Sequence, residues 1–149
     1  MKSVITLIAG LMFASAVNAK TLLVAQKSPG FEMNPTSLIL TLDDSGKITL
    51  EKQEFSSGKK SVRKIGQLSK EIVNNIAAGL AAIEPSLQVV DQKAGEPQCT
   101  DTPTVIVNNL VTGTEQNMYK SAGCHTWTLP NDEGVDSVNF ALFLLRNSN

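Results

Sequence analysis

Apolar residues recur along this chain at three different spacings, and each spacing predicts a different element. From Val4 to Ala14 the run is nearly continuous, broken only by Thr6 and Gly10. Lys2 precedes it, and Val17-Asn18-Ala19 follows at the positions a signal peptidase reads. A positive start, an apolar run and a small-residue site predict a signal peptide over residues 1–19, cleaved before Lys20. The run is shorter than the roughly 20 apolar residues a membrane-spanning helix needs. The rest, residues 20–149, is expected to be exported as one domain, periplasmic or secreted.

Short β-rich runs bounded by turn residues come next. Thr21 to Gln26 predicts an opening strand, and Ser-Pro-Gly and Asn-Pro make residues 27–36 a loop. Ser37 to Leu42 and Lys47 to Phe55 flank Asp43-Asp44-Ser45-Gly46, which is the signature of a hairpin. A second hairpin is expected from Thr104 to Val111 and Thr114 to Ser121 around Thr112-Gly113. Residues 56–66 are polar and basic and read as a connector. Residues 86–102 read as a long connector in which Leu87 to Val90 could form a short strand.

Two stretches change to helical spacing. Ser69 can cap the first through its hydroxyl. Ile72, Ile76, Leu80 and Ile83 then recur at steps of four and three, with Val73 and Ala77 widening the stripe, and Pro85 ends the helix. Asn131 or Asp132 is expected to cap the second, whose face is Val135, Val138, Leu142 and Leu145. The order hairpin, helix, hairpin, helix predicts an α+β fold: an antiparallel sheet of four to five strands, with both helices packed on one face and the other left open. Ile72, Ile76, Leu80, Val138, Leu142 and Leu145 are the expected helix contacts with the sheet.

Composition adds limits rather than a function. The chain is 42% apolar and 18% charged, which argues against disorder. Its net charge of −1 becomes −2 when the leader, with its single Lys2, is removed. That balance gives no global attraction to nucleic acid or to anionic membranes, and no stable membrane insertion is expected. The two cysteines, Cys99 and Cys124, are expected to form one disulfide in an exported protein. A two-residue turn at 112–113 pairs positions summing to 225, and 99 plus 124 gives 223. The bridge should therefore staple the open end of the second hairpin.

Candidate chemistry is sparse. His125 is the one histidine, beside a cysteine and two residues from the one tryptophan, Trp127. Without a nucleophile at recognisable spacing, His125 reads as a half-buried residue that satisfies local groups rather than as a catalyst. Asp101, Asp132 and Glu133 are the acidic residues expected nearest to it. Trp127, in a disulfide-fixed loop, reads as closing the core over the end of the last helix or as a candidate anchor for a partner. Lys59, Lys60, Arg63, Lys64 and Lys70 form a basic run that contains no acidic residue; it reads as a charged surface that keeps the protein soluble, or as one that could steer an anionic partner. Ser57 with Lys60, and Ser61 with Lys64, match S-x-x-K but lack its companion motifs. Asp43, Asp44 and Ser45 fit a turn better than a calcium loop. No metal set or cofactor fingerprint is present, and no cofactor is expected. The chain therefore reads as a non-catalytic binding or inhibitor-type protein acting on a protein or envelope component. The alternatives are a small envelope hydrolase using His125 and a structural accessory subunit of an envelope assembly.

Overall fold

A computed structural model describes residues 19–31, 33–92, 95, 99 and 101–148; the expected leader, apart from Ala19, lies outside them. The strands are β1 (Thr21–Ser28), β2 (Thr36–Asp43), β3 (Lys47–Glu54), β4 (Lys60–Gln67), β5 (Val90–Asp91), β6 (Thr104–Asn109), β7 (Gln116–Ala122) and β8 (His125–Thr128). The helices are α1 (Lys70–Ala82) and α2 (Val135–Arg146). All eight strands join one antiparallel sheet in the order β4-β3-β2-β1-β6-β7-β8-β5. The α+β class agrees with the sequence, but four to five strands was too few. The sequence predicts a connector where β4 forms and a disulfide-fixed loop where β8 forms. Both were missed because neither alternates cleanly: β4 is an edge strand whose residues are mostly exposed, and β8 is only half-buried.

The topology is two meanders running outward from the central pair β1–β6. β1 to β4 step towards one edge, and β6 to β8 step towards the other, where β5 is added. Each meander ends in a helix. Register sorts the helix-covered face into rows across the sheet. Leu23, Leu42, Ile48 and Asn109 form one row, and Ala25, Leu40, Leu50 and Val107 the next. Lys27, Leu38, Lys52, Ser61 and Val105 form the third.

α1 lies over the first row. Its N-cap Ser69 accepts from the Ile72 N–H at 3.4 Å, and Val73 packs at the β2–β3 turn beside Gly46. At its other end the Leu80 carbonyl accepts from Asn109 Nδ2 at 2.9 Å, and the Glu84 carbonyl from Gln116 Nε2 at 2.8 Å. The helix thus crosses from β3 to β7, four strand spacings of about 4.8 Å. Its 13 residues, at about 1.5 Å each, match that span. α2 returns across the same face, packing on β1 and β2. Val138, Ala141 and Leu145 join Leu80 and Ile83 in the core with the first two rows.

Three core expectations change. Ile72 is 47% exposed and Val73 is buried instead, because only a narrow stripe of α1 meets the end of the sheet. Ile76 on α1 and Leu142 at the flank of α2 are only half-buried. The start of α2 also differs. Asn131 and Asp132 have positive φ and sit in a 3-10 turn, Pro130–Asp132, and Gly134 precedes the helix.

The first hairpin is held by one carboxylate. Asp43 Oδ1 accepts from the Ser45 and Lys47 N–H groups at 3.0 Å each and from Ser45 Oγ at 2.6 Å. Gly46 closes the turn at φ 83°, where a Cβ would lie 2.6 Å from the Leu68 carbonyl oxygen. Burial alone would push the Asp43 carboxyl up. The bonds from Ser45 and Lys47 and the charge of Lys47 outweigh it, so its pKa falls below the ordinary value. A depressed folded pKa contributes stability above the unfolded value near 4 and loses it as pH falls through the folded value. Asp43→Ala should cost about 1–2 kcal/mol at neutral pH, and the difference from wild type should shrink below about pH 4 in urea titrations at stepped pH.

Candidate functional site

The face away from the helices is where His125 and Trp127 meet. Register places Ile39, Gln26, Ile106, Lys120, Trp127 and Asp91 along one row of it, on β2, β1, β6, β7, β8 and β5. Alternation then puts His125, two residues before Trp127, on the same side. The two rings stack with centroids 5.5 Å apart and planes 21° apart. Lys120 Nζ sits 5.0 Å from the Trp127 ring centroid, within cation–π range.

His125 Nδ1 and Asp91 Oδ2 are 2.8 Å apart, with side chains 11% and 24% exposed. Asp91 lies in β5, which pairs with β8 through Val90–Thr128 and Asp91–Trp127. This corrects the expectation of Asp101, Asp132 or Glu133 as the acidic partner. Asp132 and Glu133 line a small recess beside α2. The sequence marked Leu87 to Val90 as strand-like, but its pairing with β8 depends on α1 carrying the chain across the sheet. Nothing local reports that.

The disulfide Cys99–Cys124 fixes the base of this edge, with Cα atoms 5.0 Å apart and a separation of 25 residues. Next to it Gly123 takes φ 62°, and a Cβ there would meet the Cys99 carbonyl oxygen at 2.4 Å, so only glycine lets the two segments close. The Gly123 carbonyl in turn accepts from Thr102 Oγ1 at 3.0 Å. The order along β8 is therefore a covalent anchor, an oriented imidazole and a supported indole. With Cys124 oxidised, the neighbour of His125 offers no thiolate. Among the described residues no group of three His, Cys, Asp or Glu could hold a metal ion.

The basic run does not form one patch. Strand alternation and register divide it: Lys60 and Lys64 face the open side, while Arg63 turns to the helix side and donates to the Ser148 carbonyl at 2.9 Å. Lys60 pairs with Glu51 at 2.7 Å. Lys59 lies in the turn before β4, its N–H bonded to Ser57 Oγ at 3.2 Å. The S-x-x-K spacings fall on a turn and a strand, not on the helix that would bring amine and hydroxyl together. No protein family matches the chain, and no curated protein or solved structure is significantly similar to it.

Proposed function

We propose that this is a small exported binding protein of the inhibitor type. It engages a protein or envelope component through the open sheet face around Trp127, without catalysis. The observation that supports this most is the stack of Lys120, Trp127 and His125 on strands anchored by a disulfide. A large aromatic held in place before binding loses little freedom on complex formation, which is what a hot spot needs. Asp91 and His125 brace the indole from the edge strand. The same face would serve an accessory subunit docking into an envelope assembly.

One feature favours a second reading. A carboxylate on Nδ1 is also how hydrolases orient a general-base histidine. An envelope hydrolase would need a nucleophile or activated water at the other ring nitrogen. His125→Ala separates the two. The binding reading expects a stability loss of about 1–3 kcal/mol from the lost Asp91–His125 contact, or weaker partner affinity, and no loss of turnover on ester, peptide or glycoside substrates. An activity that His125→Ala removes at unchanged melting temperature would replace this reading with the hydrolase.

A further inference from the structure

We propose that the uncovered third row on the helix side is a binding site for a phosphate-bearing ligand. The two helices cover the first two rows, and α2 ends at Arg146. Beyond that end lies a cleft of about 390 Å³ whose lining includes Lys27, Lys52, Ser61 and Arg63, with Leu38 and Leu50 as its apolar floor. It continues past Lys27 into a second cleft of about 360 Å³ that includes Ser121 and Arg146. Four cations from three strands and a helix thus border one groove.

The protein as a whole carries a net charge of −1, so this concentration of positive charge is local. None of the described residues lining either cleft is acidic. Lys52 has Glu54 at 3.7 Å, an exposed pair that holds it weakly. Arg63 uses one nitrogen on the Ser148 carbonyl, which orients its guanidinium while leaving other N–H donors for a ligand. Lysines on β1 and β3 stand two strand spacings apart, roughly 10 Å. Flexible lysine side chains rooted at that backbone spacing can converge on one ligand, and with a serine hydroxyl in the same row they suit an oxyanion of more than one charge better than a single carboxylate. This site lies on the opposite side of the sheet from Trp127 and does not depend on the binding reading above.

The test is calorimetric titration of the purified protein with inorganic tripolyphosphate, with amide shifts followed at Lys27, Lys52 and Arg63. Saturable binding with shifts at those residues is expected. Lys27→Gln should weaken it about tenfold at unchanged melting temperature. Lys59→Gln with Lys64→Gln, outside the groove, should change it less than about twofold. Co-sedimentation with phosphatidylglycerol vesicles, lost in Lys27→Gln, would assign the phosphate to a lipid headgroup. Tripolyphosphate binding without co-sedimentation would assign it to a free ligand. Failure to bind either probe, or binding that Lys27→Gln leaves intact, overturns the proposal.

Discussion

Leu80→Ala is expected to destabilise the fold by about 2–5 kcal/mol, the usual cost of emptying a fully buried leucine site. Leu80 has no exposed surface and packs in the core with residues of both central strands. Its carbonyl also receives Asn109 Nδ2, while Asn109 Oδ1 accepts from the Val111 N–H at 3.0 Å. Movement of α1 into the cavity would therefore disturb a buried amide that ties helix to sheet. Ile72→Ala, on the exposed flank of the same helix, should cost less than about 1 kcal/mol. Urea unfolding of both variants at constant m-value checks the contrast. Equal losses would mean that α1 is rotated about its axis.

The second large effect is expected at the disulfide. Replacing Cys99 and Cys124 together by serine should cost about 3.5 kcal/mol, from the chain entropy regained by a loop of 25 residues. The loss should show in more than stability. β8 begins one residue after Cys124, and β5 contributes only two residues to the sheet. Without the bridge, amide exchange at His125 to Thr128 should become the fastest in the sheet, while β1 to β3 keep their protection. A double variant with unchanged unfolding midpoint and unchanged exchange in β8 would show that the bridge carries no structural weight.

Much of the first half of the fold was legible because its signals are local. Asp43 to Gly46 is a turn by side-chain chemistry alone, and Ser69 and Pro85 bracket α1. The second hairpin was legible almost to its register. Pairs next to the turn sum to 225, as in Asn109 with Gln116, and a bulge at Val107/Asn108 moves the rest to 226. The loop is longer than two residues, but the cysteines still meet. What escaped has either a weak local pattern or a distant partner. β4 holds its place by pairing with β3 alone, so Lys60, Val62 and Lys64 stay polar or exposed. Asp91 reaches His125 across 34 residues, and no spacing encodes that. The basic run looked continuous because a sequence does not display the two faces of a strand.

Recovery of a partner from an envelope extract by immobilised wild-type protein and by Trp127→Ala, quantified by mass spectrometry, tests the central claim most directly. Trp127→Ala removes the ring stacked on His125 and beneath Lys120 while leaving the disulfide and the core rows in place. A hot-spot loss of about 2 kcal/mol or more predicts at least a tenfold drop in one specific component, at equal amounts of folded bait. Equal recovery of the same component by both baits would contradict the account, because the surface around Trp127 would then not be where the protein binds.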